Sequence, residues 1–246
     1  MNETPPKKTW LGLFANSRPL DRTLHRNLKI NRMAGYRFAS HEFAAPITAI
    51  EFSSAARDYP IIFAGDNQAP MIVLGLRSGR NLLVDEQGKW QEGKYIPAHL
   101  RRYPFVFMED GAKTRFTLCI DEKAEHFQDQ NSASEPLFIN GDPAPFVTDM
   151  LNFLSAFHND NLATQQFSAA LQNAGLLIER RAEVEMANGE HLALTRFNVI
   201  DETRFNKLPA ETFLEWRKRG WLPLVYFHLL SLANWNRLLD LAAKPS

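Results

Sequence analysis

The chain has 246 residues, 45% of them hydrophobic and 23% charged, the make-up of a globular protein with enough length to bury a real core. Its 28 basic residues balance 28 acidic ones, so no overall field draws it toward nucleic acid or an anionic membrane. A single cysteine, Cys119, excludes an intramolecular disulfide and suits a reducing compartment.

Residues 1–18 hold a proline pair, two lysines and little periodicity, and read as a flexible basic leader. Across residues 1–32, seven basic side chains face only Glu3 and Asp21. Such an arm either folds back on an acidic body or grips an anionic partner. The apolar run Trp10–Ala15 is shorter than the roughly 7–15 residues of a secretory core. No stretch approaches the roughly 20 apolar residues of a spanning helix. The expectation is a cytoplasmic protein without membrane insertion.

From about residue 36 to 120 the signals are mostly β. The short apolar runs Pro60–Ala64 and Met71–Leu74 are bounded by Gly65-Asp66-Asn67 and Gly75, as in strands buried on both faces. Residues 45–58 suit a short helix between strands. Leu82-Leu83-Val84 and Lys89-Trp90 flank a glycine-containing loop and read as a hairpin. Pro97 is placed to start a helical turn reaching Arg102. Residues 121–141 are polar and without period, and read as the longest loop.

Helix dominates from about residue 143. Val147, Met150, Leu151 and Leu154 recur at helical spacing, and a second helix is expected from about Asn161 to a capping Gly175. The period then changes to two on either side of Asn188-Gly189, a strong hairpin signal. Pro209 opens a helix that stops before Gly220. Pro223 opens another, whose stripe Val225, Leu229, Leu232, Trp235, Leu239 and Ala242 is either a core face or a homodimer seam. The fold class is α+β: a β-rich N-terminal half packed with a mainly helical C-terminal half that carries one β-hairpin. Residues 19–246 are expected to form a single domain.

Motifs for catalysis are missing. Gly75-Leu76-Arg77-Ser78-Gly79 has neither the spacing nor the lysine of a phosphate loop, and no G-x-G-x-x-G occurs. His41-Glu42 opens like a zinc-protease motif, but Ala45 stands where the second histidine belongs. The seven histidines never pair at ligand spacing, so no metal or other cofactor is expected. Cys119 lies between Arg115 and Asp121 on one strand face, where a thiol could be activated or damped by local charge. It is read first as a small buried hydrophobe.

Recognition is the better-supported chemistry. Within Tyr95–Phe105, Tyr95 and Tyr103 offer flat amphipathic surface, and Arg101 and Arg102 offer planar forks for carboxylate or phosphate. The same segment also reads as a proline-fixed connection that plugs the core. Pro19-Leu20-Asp21-Arg22 with His25 is a second such segment. Arg22, His25, Cys119 and Asp121 are therefore secondary candidates.

Taken in order, these segments resemble the SapC-like family of bacterial proteins. The resemblance runs from about Pro19 to the end of the chain. Its anchors are Pro19-Leu20-Asp21-Arg22 with His25, Tyr59-Pro60-Ile61, Gly75-Leu76 with Gly79 and Asn81-Leu82, and Gly88-Lys89-Trp90. They continue with Tyr95-Ile96-Pro97, Tyr103-Pro104-Phe105, Cys119-Ile120-Asp121-Glu122, Pro136-Leu137-Phe138 and Leu230-Ser231-Leu232. Lys94 departs from the glycine expected before Tyr-Ile-Pro. The family name implies a link to bacterial surface layers. Its members also occur beside outer-membrane nutrient receptors and halogenase-like or cupin-like proteins. Neither association supplies catalytic residues.

The expected function is a non-catalytic binding or accessory protein, acting with a partner enzyme or on a peptide-like or small anionic ligand. The alternatives are a surface-layer-associated structural protein, exported without a leader, and an undescribed enzyme.

Overall fold

A computed structural model of the protein describes residues 12–14, 16–109, 116–128, 133–185 and 191–243, with the backbone alone at 183–185 and 191–193. The first strands are β1 (Ser17–Pro19), β2 (Lys29–Ile30) and β3 (Ala44–Pro46). A 3-10 turn, Ala49–Glu51, leads into α1 (Phe52–Ala55), followed by β4 (Ile61–Ala64) and β5 (Ala69–Val73). Next come α2 (Ala98–Arg101), β6 (Phe105–Glu109), β7 (Phe116–Asp121) and α3 (Glu125–Gln128). Three two-residue strands, β8 (Glu135–Pro136), β9 (Phe138–Ile139) and β10 (Asp142–Pro143), precede the long helix α4 (Pro145–Asn173). The chain closes with β11 (Leu177–Glu185), β12 (His191–Ile200), α5 (Glu202–Phe205), α6 (Ala210–Lys218), α7 (Leu222–Ser231) and α8 (Asn234–Ala242). The α+β class is as expected.

Contacts divide the chain into two units, each assembled from separated stretches: Met1–Phe38 with Arg101–Ala156, and Ala39–Leu100 with Phe157–Ser246. In the first unit, β1 and β6 flank β7 in an antiparallel sheet, with Ser17 opposite Asp121 and Phe105 opposite Ile120. Phe105, Ile120, Phe127 and Leu137 form its core with Val147 and Leu154 from the first turns of α4.

In the second unit, five antiparallel strands run in the order β11-β12-β4-β5-β3. The C-terminal hairpin thus pairs with strands from the other end of the chain, through Asn198 opposite Phe63. Apolar runs 61–64 and 69–73 are buried because the sheet is covered by helices, the arrangement that removes strand alternation. Phe167 of α4 is 0% exposed and meets Phe52, Phe63, Trp216 and Trp221 at ring-centroid distances of 6.0–6.5 Å. Such edge and tilted contacts contribute about 0.5–1.5 kcal/mol each beyond area burial.

Two expected breaks fall elsewhere. α4 is one helix of 29 residues, with no interruption near Asn161. The polar run there is absorbed: Asn161 Nδ2 donates to the Phe157 carbonyl and Thr164 Oγ1 to that of Asp160, both one turn back. Nothing in the run removes a backbone donor or demands positive φ. The helix ends as expected at Gly175, whose φ of 62° suits a residue without Cβ.

Conversely, the helix expected from Pro223 to Ala242 breaks between α7 and α8. Ser231 Oγ donates to the His228 carbonyl and accepts from the Ile61 amide, while Asn234 Nδ2 donates to the Ala56 and Tyr59 carbonyls. At the break the backbone tightens to i→i+3 bonds, Leu232 to Leu229 and Ala233 to Leu230. The ties to β4 and α1 outweigh helical continuity. The turn expected at Asn188-Gly189 lies outside the described residues, as do residues 1–11 of the expected leader. Gly12–Phe14 form a 3-10 turn, and Ser17–Pro19 form β1. Among the described residues no helix is long and apolar enough to cross a membrane.

Candidate functional site

The Pro19–His25 segment and the Arg101–Phe105 end of the other segment singled out from the sequence both belong to the first unit. Asp21 Oδ1 accepts from the Thr23 and Leu24 amides at 2.8 and 2.7 Å, closing the turn and lowering the Asp21 pKa. His25 Nδ1 accepts from the Asp21 amide at 2.9 Å, so Nε2 carries the proton and donates to Glu122 Oε1 at 2.8 Å. Arg18 approaches the other Glu122 oxygen at 3.6 Å. His25 therefore staples the Pro19–His25 turn to the end of β7. Arg22 lies exposed on that turn.

Asp121, 5% exposed, accepts from the Tyr103 hydroxyl at 3.2 Å and from the Lys123 amide at 3.1 Å. Burial, then the Asp121 carboxylate, pushes the Tyr103 hydroxyl pKa up. The Tyr103 ring stacks on Phe38 at 4.0 Å and meets Phe14 and His126 at 5.6 and 5.5 Å. Arg102 lies over Phe14 at 4.6 Å, and burial lowers its pKa to about 10. Arg101 is exposed, 5.2 Å above the Phe153 ring. Cys119 is 1% exposed among Phe14 and Val106, and burial raises its thiol pKa, which favours the unreactive protonated form.

Tyr95 belongs to the second unit. Its hydroxyl donates to Glu51 Oε1 at 2.8 Å, its amide to Asp58 at 3.0 Å, and its carbonyl accepts from the Tyr59 hydroxyl at 2.7 Å. Glu51 is 4% exposed and also accepts from the Ala98 amide, the Thr48 amide and the Thr48 hydroxyl at 2.8, 2.7 and 2.9 Å. Four donors on one buried carboxylate fix the Tyr95-Ile96-Pro97 loop. Among the described residues no group of three His, Cys, Asp or Glu side chains could hold a metal ion.

The second unit contains a cavity of about 360 Å³, within the usual size range of small-molecule sites. Leu194, Phe197, Val199, Leu232, Trp235 and Leu239 line its walls, together with Leu76, Ala182, Arg180 and Arg181. Phe197 and Trp235 pair at 5.7 Å across these walls. The cavity occupies the half-buried margin of a core cluster built on Ile62, Met71, Val73 and Phe197.

A bulge shapes it. The pairing Arg180 opposite Phe197 shifts by one at Ala182 opposite Leu194, so Thr195 and Arg196 face Arg181 alone. Arg196 takes φ of 60°. The extra residue belongs to β12, and Arg180, Arg181 and Ala182 of the edge strand β11 all border the space.

None of these cavity residues was a sequence candidate for the site. Leu232, Trp235 and Leu239 were visible only as an apolar stripe. The Arg180-Arg181 pair was the available signal, since two adjacent charges interrupt a period-two strand.

A family model described as SapC matches residues 20–238. No curated protein and no solved structure matches the chain. With nearly its whole length matched, the chain belongs to the SapC family.

Proposed function

We propose that the protein is a non-catalytic binding protein and that the cavity beside the β11–β12 bulge holds its small-molecule ligand. The observation that supports this reading is an apolar, aromatic-walled space of about 360 Å³, the type of concavity that takes drug-sized molecules with few polar contacts. The reactive side chains named by the sequence are committed elsewhere. Cys119 is packed in a core, Asp121 accepts from Tyr103 and a backbone amide, and His25 staples a turn.

The test is saturable binding of the neutral dye N-phenyl-1-naphthylamine, followed by its fluorescence. Ala182→Trp places an indole in the cavity and should abolish dye binding while leaving the urea midpoint within error. Absence of saturable binding in the parent protein would refute the reading. So would dye binding unaffected by Ala182→Trp.

Accessory action on a partner enzyme is a second reading, favoured by the exposure of Arg101 on the Phe153 ring. Arg101→Ala should then abolish co-purification of a stoichiometric partner from the native host without altering the circular dichroism spectrum.

A further inference from the structure

We propose that the far part of the β11–β12 hairpin is a lid on this cavity, opening about the bulge at Thr195 and Arg196 and held shut by bound ligand. The proposal rests on the binding reading above and adds how the site is gated. It starts from the strand register. Asn198 stands opposite Phe63 and the strands run antiparallel, so Phe197 falls opposite Ala64, the last residue of β4. There the chain leaves the sheet through the 65–68 turn, and Asn198 Nδ2 donates to Gln68 Oε1 at 2.7 Å. Residues 191–196 of β12 therefore have no β4 residue to pair with. On the other side, β11 is the edge strand, and among the described residues its sheet neighbour is β12 alone.

The hairpin thus runs on past the sheet as a two-stranded arm. Residues 191–196, at about 3.3 Å each, give it a reach of about 20 Å. This arm roofs the cavity. Ala182 and Leu194, paired across the ladder just beyond the bulge, line it from the arm. Leu232, between α7 and α8, and Trp235 and Leu239 of α8 line it from the body. All five pack against one apolar cluster, so the cavity lies along the seam where arm meets body.

Burial falls along the arm as it leaves the sheet. Ile200, Val199 and Phe197 are 2%, 8% and 4% exposed, whereas Leu194 and Ala182 are half-buried and Thr195 and Arg196 are exposed. A two-stranded ribbon held by half-buried contacts opens at lower cost than the sheet that carries it. The bulge supplies the hinge. There the ladder is interrupted, and Arg196 takes φ of 60°. Short interruptions of this kind absorb a change of φ and ψ while the packed elements on either side stay intact. A ligand that touches both the arm and α8 gains its full contact only in the closed form, so its binding shifts the arm toward closure.

The experiment follows amide hydrogen exchange residue by residue, with N-phenyl-1-naphthylamine as the ligand. In the free protein, the amides of residues 191–194 that bond β11 should exchange at least about tenfold faster than those pairing β4 with β5. Dye at ten times its Kd should slow them about tenfold, the factor mass action sets when only the closed form binds. In stopped flow, the rate of dye uptake should level off with concentration, at the opening rate of the lid. Leu194→Ala removes the arm's leucine from the seam and should raise that ceiling at least about threefold. Arm amides that exchange as slowly as those of β4 in the free protein would overturn the lid. Saturable dye binding that leaves their exchange unchanged would also overturn it, with the binding reading still standing. Uptake that rises linearly and is unmoved by Leu194→Ala would show a permanently open mouth, with the same consequence. No dye binding would overturn both the lid and the reading beneath it.

Discussion

Removing the Glu51 carboxylate should be among the most damaging single changes in the second unit, and its cost can be worked from the donors it serves. Oε2 accepts from the Thr48 amide and hydroxyl, and Oε1 from the Tyr95 hydroxyl and the Ala98 amide. At 4% exposure little water can replace it. In Glu51→Ala the two amides lose their acceptor inside the protein, at about 1–3 kcal/mol each. The hydroxyls can rotate, so they add less. The expected loss is about 4 kcal/mol, the range of a broken buried network rather than a surface change.

Glu51→Gln keeps the volume but turns one acceptor into a donor facing another donor. It should cost about 2 kcal/mol. Urea titration followed by near-ultraviolet circular dichroism gives both values, and a cycle with Tyr95→Phe isolates the 2.8 Å bond. Additive effects of Glu51→Gln and Tyr95→Phe would refute the claim that this bond fixes the Tyr-Ile-Pro loop. A Glu51→Gln cost below about 0.5 kcal/mol would refute the network as a whole.

Two further outcomes follow from local strain and burial. Arg196 sits at φ of 60°, a region that costs an ordinary L-residue roughly 1 kcal/mol; Arg196→Gly should raise the urea midpoint by the equivalent of about 0.5–1 kcal/mol, offset in part by the freer unfolded chain, and a lower midpoint would contradict the bulge geometry. His228 is 0% exposed with both ring nitrogens lacking hydrogen-bond partners, and burial lowers its pKa to about 3. The unfolded imidazole, with its ordinary pKa near 6.5, binds more protons between about pH 6.5 and 3, so this group makes stability fall as pH drops through that window. His228→Leu should stabilise at neutral pH and reduce the loss between pH 7 and 5 by about 2 kcal/mol, as read from urea midpoints across pH. An unchanged acid slope would show that His228 is not the group responsible. His126, whose pKa burial lowers to about 4, should supply part of the acid sensitivity that remains.

What the sequence by itself determined was local. Apolar runs marked β4 and β5, Gly175 and Gly220 marked helix ends, and the period change around residues 188–189 marked β11 and β12. Each of these depends on a few consecutive side chains and on backbone preferences that act within one or two turns. The segments bearing Asp21, His25, Tyr103 and Asp121 also stood out, although nothing in their spacing said that they close on one another through Glu122 and β7.

The tertiary structure decided what depends on residues far apart. Ser231 and Asn234 are ordinary helix residues until the Ile61 amide and the Ala56 and Tyr59 carbonyls take up their side chains, and only then does one helix become α7 and α8. Glu51 reads as a surface acid until Thr48, Tyr95 and Ala98 converge on it. The cavity draws on Leu76, the 180–199 hairpin and Leu232–Leu239. These stretches share no periodicity, and only the pairing of β12 with β4 puts them in one sheet-and-helix unit. Hydrophobic pattern specifies which face of each element is buried. It does not specify which other face it meets, and that second choice makes the site.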